Sequence, residues 1–268
     1  MDEVKKFSVF GIPVKHSLSP LIHKEFARQQ GINIQYKTIE PDSVEHFETH
    51  ANSFFSKNGF GANITIPLKE QAFNFADEHD TSASECGCAN TLILQNNKIK
   101  SFNTDGDGFI KDLKEKEISL SEKKILVLGA GGSARSIINS LSKINVATIG
   151  IFSRTQTKVD TLIDKYKNFT NLCNYEENLK YDFIINTTPI SLNDEKIDFP
   201  INIFNTSSIS YDLFYSKTKT KFQLWSKDNG ADKAYDGLGM LIQQAALSYD
   251  IWNNFKPNTK EIASKLGF

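Results

Sequence analysis

The sequence predicts an α/β fold in two parts, a mixed α/β region and then a doubly wound parallel sheet, and three observations carry that prediction. Up to about residue 104 the strand-like and helix-like stretches are short and varied, and they end in a hairpin signal around Asn96-Asn97. From Ile125 onward the strand-like runs are apolar on consecutive residues, as in strands covered by helices on both faces. A loop Gly129-Ala130-Gly131-Gly132 joins the first of these runs to a helical pattern. The length, 268 residues, suits two domains at roughly 100 to 200 residues each.

Taken in order, Phe7 to Phe10 reads as a strand, and the loop Lys15-His16-Ser17-Leu18-Ser19-Pro20 ends in what reads as a serine cap with proline at the first helical position. A helix from Leu21 to Gln29 stops at Gly31, Ile32 to Ile39 forms the next strand, and His46 to Phe55 a helix. In the strand Gly61 to Pro67, Ala62, Ile64 and Ile66 take one face and Asn63 and Thr65 the other. Pro67 ends that strand and opens a helix from Leu68 to Phe75. Asn90 to Leu94 and Lys98 to Phe102 form the hairpin, and Phe109, Ile110 and Leu113 mark a helix with Asp105 near its start. After a polar stretch from Ser119 to Lys124, the runs Ile125–Leu128, Ala147–Phe152, Phe183–Ile185 and Ile209–Leu213 are expected to be strands of the parallel sheet. A last helix, Leu238 to Trp252, follows Asp236-Gly237 and is expected to pack back onto the first domain.

Composition excludes several classes. Hydrophobic residues make up 39% and charged residues 24%, ordinary globular usage and not that of a disordered chain. Lys plus Arg total 31 against 32 Asp plus Glu, so no global basic field exists to attract nucleic acid or an anionic membrane. No apolar run approaches the ~20 residues of a membrane helix, and the start Met1-Asp2-Glu3-Val4-Lys5-Lys6-Phe7 lacks the apolar core of a signal peptide, so a soluble, cytoplasmic protein is expected. Among the three cysteines, Cys86 and Cys88 lack a second Cys/His cluster, so buried thiols with no metal are expected.

The glycine loop carries a cofactor signal. Gly129-Ala130-Gly131-Gly132-Ser133-Ala134 follows the strand Ile125–Leu128, and Ile137, Ile138, Leu141 and Ile144 continue at helical spacing. Gly129 permits the tight turn, Gly131 lets a pyrophosphate approach the backbone at a helix N-terminus, and small Ala134 allows close helix–strand packing. About twenty residues on, where an acid would hold the ribose hydroxyls of NAD, the chain has Ser153-Arg154-Thr155 with Lys158 one turn beyond. Two cations there suit a 2′-phosphate, so this Rossmann-like domain is expected to bind NADP. The alternative for this stretch is a solvated helix start capped by Thr155.

The substrate signal is weaker residue by residue. Lys69 falls in the first turn of its helix, where the dipole disfavours a cation, and broken local rules mark function. Asp105, in Asn103-Thr104-Asp105-Gly106, reads on its own as a helix cap. Asn63 and Thr65 beside Lys69 offer the donors and acceptors that a small polyhydroxylated ligand needs.

Together, Ser17-Leu18-Ser19-Pro20, Gly61 through Lys69, Asn90-Thr91, Asn103 through Gly106, the Gly129 loop, Tyr211-Asp212-Leu213-Phe214-Tyr215 and Asp236-Gly237-Leu238-Gly239-Met240-Leu241 resemble the shikimate dehydrogenase family, in the family's order and across nearly the whole chain. The resemblance implies an NADP-dependent oxidoreductase that interconverts 3-dehydroshikimate and shikimate in aromatic amino acid and chorismate biosynthesis. Residues 1–104 and 239–268 would form the substrate-binding and catalytic domain, and 105–238 the NADP-binding domain, with substrate in the cleft between them. It further implies that Ser17 and Ser19 hold the substrate carboxylate and that Asn63, Thr65, Asn90 and Gln244 bind ring hydroxyls or order the pocket. Lys69 and Asp105 would be the catalytic pair, with Tyr215 beside the substrate. Gly129, Ala130, Gly131, Gly132, Ser133, Ala134, Ser153, Arg154, Thr155, Lys158 and Thr187 would contact the cofactor, with Gly237 and Met240 near the nicotinamide. Quinate as substrate, and a ligand-binding protein without catalysis, are the alternatives, and a monomer or homodimer is expected.

Four positions depart from the family's usual pattern. Ser153 stands where Asn commonly precedes Arg-Thr, and Ser191 where the loop beginning at Asn186 usually has Gly, so a changed backbone path is expected there. Cys88 replaces a small residue before Asn90, and Lys217 a proline after the Tyr-Asp strand.

Overall fold

The computed structural model describes residues 4–192 and 196–268, so Met1, Asp2 and Glu3 of the N-terminal reading lie outside the described residues. The chain divides into two units, Met1–Gly108 with Ile242–Phe268 and Phe109–Leu241. Among the described residues no helix is long and apolar enough to cross a membrane.

In the first unit β1 (Lys5–Phe10), α1 (Ser19–Gln30), β2 (Ile34–Ile39), α2 (Phe47–Ser56), β3 (Gly59–Ile64), α3 (Lys69–Phe75), β4 (Glu78–His79), α4 (Thr81–Cys86), β5 (Thr91–Gln95) and β6 (Lys98–Phe102) follow one another. The sheet order is β2-β1-β3-β5-β6-β4. β1 runs parallel to both β2 and β3, while β3–β5 and β5–β6 are antiparallel, which makes the sheet mixed. Alternation along β1 and β3 feeds two cores. Phe10, Ala62 and Ile64 pack with Phe47, Ala51 and Phe55 of α2 and Ala72 of α3, whereas Phe7, Val9, Tyr36 and Ile93 pack against Trp252. Gly61 is required there, because a Cβ on it would come 2.5 Å from the Trp252 indole nitrogen. The β5–β6 hairpin turns on Asn96 and Asn97, both at positive φ as a tight hairpin turn demands.

α5 (Asp105–Glu115) begins in the first unit and leads into the second, where β7 (Lys124–Leu128), α6 (Gly132–Leu141), β8 (Thr148–Phe152), α7 (Gln156–Tyr166), β9 (Leu172–Asn174), β10 (Tyr181–Asn186), β11 (Phe204–Asp212), α8 (Lys221–Asp228) and β12 (Lys233–Tyr235) alternate. All five strand pairs are parallel, in the order β12-β11-β10-β7-β8-β9. Ile125 and Val127 enter the core formed with Phe109, Ile137 and Val159, while Leu126 and Leu128 enter a second one with Tyr181, Phe204 and Phe222. Both faces of β7 are therefore apolar, which is why its sequence shows no polar alternation. The order reverses between β7 and β10, the point at which open α/β sheets bind ligands beyond the strands' carboxyl ends. α9 (Leu238–Asn253) and α10 (Ile262–Lys265) complete the chain, with residues from Ile242 on belonging to the first unit.

The serine cap expected at Ser19 is not formed. Leu18 occupies the N-cap position with no side-chain cap bond, and Ser19 and Pro20 are already helical. The Ser17 hydroxyl accepts the Ser19 N–H at 3.2 Å, and the Leu18 carbonyl accepts from Leu21 and Ile22, so the end is satisfied without the Ser19 hydroxyl. Thr155 does stand at the N-cap of α7, also without a side-chain cap bond.

Candidate active site

In the first unit the C-terminal end of β3, the start of α3, the start of β5 and the start of α5 converge. Lys69 and Asp105 meet there, the Lys69 Nζ donating to Asp105 Oδ2 at 2.6 Å, with side chains only 11% and 7% exposed. A buried carboxylate and ammonium hold their charges only when paired and hydrogen bonded. Asp105 has those partners: its second oxygen accepts from Asn90 Nδ2 at 2.8 Å, and its own N–H donates to Asn103 Oδ1 at 3.1 Å. Asn103 thus takes the Asp105 N–H, and the Asp105 carboxylate, read from local sequence as a cap, is directed at Lys69 instead. The Asn103 amide is in turn anchored on the Cys88 carbonyl at 3.0 Å.

Asn90 ties the site together. Its Nδ2 lies 2.9 Å from Thr104 Oγ1 and 3.1 Å from Gln244 Oε1, and its Oδ1 accepts the Thr104 N–H at 2.9 Å. Asn63 has a similar position: its Oδ1 accepts from the Tyr36 hydroxyl at 2.7 Å, and its Nδ2 donates to Ser248 Oγ at 3.0 Å. Both side chains are buried and spend their hydrogen-bonding capacity on neighbours. Gln244 approaches α5 closely because Gly108 has no side chain; a Cβ there would lie 2.7 Å from the Gln244 Cβ. Ser17 and Ser19 lie with their hydroxyls 3.1 Å apart, and Thr65 is half-buried at the end of β3.

Several members of this network carried no sequence signal of their own. Tyr36, Thr104 and Ser248 each hydrogen bond to Asn63 or Asn90. Ser248 follows Gln244 by one helical turn, and that spacing was the available clue. His23 was passed over as well. It is fully buried against Tyr36, ring centroids 4.7 Å apart, both ring nitrogens without a hydrogen-bond partner among the described residues. Burial pushes its pKa down to about 3, against a smaller upward pull from Asn63.

Cys86 and Cys88 are buried with their sulfurs 3.5 Å apart, and no disulfide is formed among the described residues. The Cys88 contact and burial push the Cys86 thiol pKa up, the condition of an inert thiol. Among the described residues no cluster of three His, Cys, Asp or Glu side chains could hold a metal ion.

In the second unit the glycine loop lies between β7 and α6. Gly129 has φ of +113°, and a Cβ there would overlap the Thr187 hydroxyl, so only glycine makes this turn. Thr187 donates its hydroxyl to the Leu128 carbonyl at 2.8 Å, joining the β10 loop to the end of β7. Gly131, the N-cap of α6, has nothing within 4 Å of its missing side chain, and Ala134 is fully buried beneath. Ala130 is buried, with Gly132 and Ser133 in the first turn of α6. Arg154, Thr155 and Lys158 are exposed beyond β8, next to half-buried Ser153. An open backbone at a helix N-terminus with two solvated cations at the end of the neighbouring strand fits a phosphorylated dinucleotide.

Ser191 departs from glycine without leaving ordinary backbone space. It lies in a short 3₁₀ turn, Pro189–Leu192, and is not among the positive-φ residues. Its hydroxyl donates to Asp212 Oδ2 at 2.6 Å and accepts the Phe222 N–H at 3.2 Å. Asp212 is buried, which pushes its pKa up, while hydrogen bonds from Ser191, Thr220, Phe214 and Asn186 oppose that shift. Tyr215, three residues on, stacks on Phe214 with centroids 5.7 Å apart. The turn bearing Gly237 and Met240 is fixed by close packing. Cβ atoms at Gly237 and Gly239 would overlap the Leu213 carbonyl and the Asp112 carboxylate, and Asp112 itself takes a 2.6 Å bond from Tyr211 and pairs with Lys116.

A doubly wound sheet with a glycine loop in one unit and a buried lysine–aspartate pair in the other define a dinucleotide-dependent oxidoreductase. Comparison with known proteins narrows the class. Three family models match, the shikimate dehydrogenase substrate binding domain over residues 9–92, shikimate / quinate 5-dehydrogenase over 112–192, and the shikimate 5′-dehydrogenase C-terminal domain over 237–266. A shikimate dehydrogenase (NADP(+)) of Vibrio campbellii is 40% identical over 98% of this chain and 96% of its own length. The protein of the same name from Shewanella halifaxensis is 38% identical over 98% and 95%. Among solved structures, shikimate dehydrogenase from Aquifex aeolicus is 31% identical with a TM-score of 0.86, covering 99% of this chain and 98% of that one. The Thermus thermophilus enzyme, solved with NADP(H) and shikimate, is 28% identical with a TM-score of 0.87, covering 99% and 100%. The chain belongs to the shikimate dehydrogenase family.

Proposed function

We infer that the protein is an NADP-dependent shikimate dehydrogenase, reversibly reducing 3-dehydroshikimate to shikimate, and that Lys69 and Asp105 are its catalytic pair. The observation that carries the site assignment is the 2.6 Å contact between these two buried side chains, each held from a different element. Hydride adds to the ketone carbon and negative charge develops on its oxygen, so a proton donor placed at that oxygen lowers the barrier, typically by 10²- to 10⁴-fold in rate. Lys69 Nζ gives that proton as the C–H bond forms, and in the reverse direction it takes the hydroxyl proton back. Asp105, fixed by Asn90 and Asn103, keeps the lysine aimed. NADPH supplies the hydride when bound.

Ser17 and Ser19 are assigned to the substrate carboxylate, Thr65 and Gln244 to ring hydroxyls, Asn63 and Asn90 to ordering the pocket, and Tyr215 to a place beside the substrate. Gly129 to Ala134 would receive the pyrophosphate at the start of α6, with Thr187 supporting the loop, Arg154 and Lys158 on the 2′-phosphate, Ser153 and Thr155 beside the adenosine, and Gly237 and Met240 near the nicotinamide. In this reading 1–104 with 239–268 serve the substrate, joined by Asp105 and Tyr215, and the remainder of 105–238 serves NADP. A cytoplasmic enzyme, monomeric or homodimeric and without nucleic-acid or membrane partners, accords with the balanced charge.

Because one matching family model covers both substrates, the test is reduced-nicotinamide formation from shikimate and from quinate, each with NADP and with NAD. Turnover concentrated in shikimate with NADP is expected. Preference for quinate overturns the assignment of shikimate as the substrate, preference for NAD overturns the reading of Arg154 and Lys158, and no turnover in any pairing overturns the enzymatic assignment.

A further inference from the structure

A cavity of about 330 Å³ lies in the first unit between α2 and the edge of the sheet formed by β2 and β1. Its walls carry Lys6, Lys37, Lys57 and His50 over the apolar surfaces of Ile39 and Phe54, and among the described residues no Asp or Glu lines it. Such one-signed lining departs from the mixed charge of the chain as a whole, where acids and bases nearly balance. Asp42 lies outside the lining, 3.7 Å from the His50 ring and largely exposed.

The register explains why these groups gather. Lys6 pairs with Gln35 and Ser8 with Lys37, so their side chains share the α2-facing side of the sheet with Ile39, the partner of Phe10. Lys6 Nζ donates to the Lys57 carbonyl at 3.1 Å and Lys57 Nζ to Ser53 Oγ at 3.1 Å. Each ammonium has three donors, so these bonds hold the cations at the wall and leave them donors to spare. Lys37 is exposed. Ser8, within this set of partners, is fully buried with its hydroxyl making no hydrogen bond among the described residues, an unusual state for a buried polar atom. The cavity is separate from the Lys69 site: it is lined from β1, β2, α2 and Lys57, and none of Lys69, Asp105, Asn90 or Asn63 borders it.

We propose that this cavity is a second binding site, taking small organic anions that carry one carboxylate or phosphate group on an apolar ring. The lysines and His50 hold the oxyanion, and Ile39 and Phe54 take the ring. The volume is at the lower end of the range for small-molecule sites, which limits the ligand to about one ring.

The test titrates the full-length protein, ¹⁵N-labelled, with phenyl phosphate, benzoate, inorganic phosphate and benzyl alcohol, following backbone amide shifts. Expected are saturable shifts at residues 35–39 and 50–57 with phenyl phosphate or benzoate, at least tenfold weaker binding in Lys37→Glu, and weakening with added salt. Inorganic phosphate should bind more weakly than phenyl phosphate, and benzyl alcohol should leave these amides unmoved. Shifts confined to residues 129–134 and 153–158, or undiminished affinity in Lys37→Glu, overturn the proposal. Equal binding of inorganic and phenyl phosphate, or binding of benzyl alcohol, overturns the ligand class.

Discussion

The two units prepare for their ligands in opposite ways. In the first, Asn63, Asn90, Lys69 and Asp105 are buried and bonded to one another. In the second, Arg154 and Lys158 stand in solvent and Gly131 faces open space. The difference follows from the work assigned to each. A group that transfers a proton must hold its position before the substrate arrives, because reorganising during the reaction adds to the barrier. A group that recognises a phosphate needs only to reach it, and solvated cations do so without desolvation in the unbound state.

The largest expected effect tests the buried side of that contrast. Lys69→Ala should lower kcat by about 10²- to 10⁴-fold while leaving KM for shikimate nearly unchanged, since the proton is needed in the transition state. Steady-state kinetics with NADP decide it, and a rise in KM alone would make Lys69 a binding residue.

The next effect concerns the same buried layer. The His23 pKa lies near 3 in the folded protein and about 6.5 unfolded. The unfolded chain therefore binds the extra proton first, and His23 favours folding fully above about pH 6.5, an advantage lost as pH falls from there toward 3. The slope approaches about 1.4 kcal/mol per pH unit. Asp212 works in the other direction, because its raised pKa makes protonation favour the folded state. His23→Phe keeps the Asp212 contribution and removes the histidine's, so denaturant unfolding between pH 6.5 and 5 should show about 1.5–2 kcal/mol less acid destabilisation in the variant. Parallel curves for both proteins would contradict the neutral, buried histidine.

On the exposed side, Arg154→Ala should raise KM for NADP about tenfold and leave both KM for NAD and thermal stability where they were, as befits a solvated cation that meets a phosphate. Equal losses for NADP and NAD would remove Arg154 from the 2′-phosphate. The smallest effect lies between the two extremes. Ser191→Gly removes a hydroxyl that satisfies buried Asp212 and should cost about 1 kcal/mol of stability, visible as a modest fall in Tm. A Tm equal to that of the parent would show that Asp212 finds another donor.

How far these features could be seen in the sequence depended on how local they are. The glycine loop and the apolar strands of the second unit were legible because turn chemistry and two-sided burial leave their marks on adjacent residues. The hairpin at Asn96-Asn97 was legible for the same reason. Ser19 misled, because capping preferences describe residue types and cannot show that the Ser17 hydroxyl already takes its N–H. Lys69 stood out as a cation at a helix start, but its partner lies 36 residues away, and local rules made Asp105 a cap. The braces Tyr36 and Thr104 left no mark of their own and Ser248 only its one-turn spacing from Gln244, since a hydroxyl bonded across the fold looks like any other in the sequence. At Ser191 the departure from the family's glycine implied a changed backbone path; the residue sits in ordinary backbone space and its hydroxyl bonds Asp212.

The expectation at the active site is that Lys69 and Asp105 act as one unit in proton transfer. It is tested most directly by kcat for 3-dehydroshikimate reduction with NADPH in Lys69→Ala, Asp105→Asn and the double variant. If Asp105 works through Lys69, the double variant will be no slower than Lys69→Ala alone. Losses that multiply, with the double variant slower by the product of the two single effects, would show that the two side chains act independently and would contradict the account.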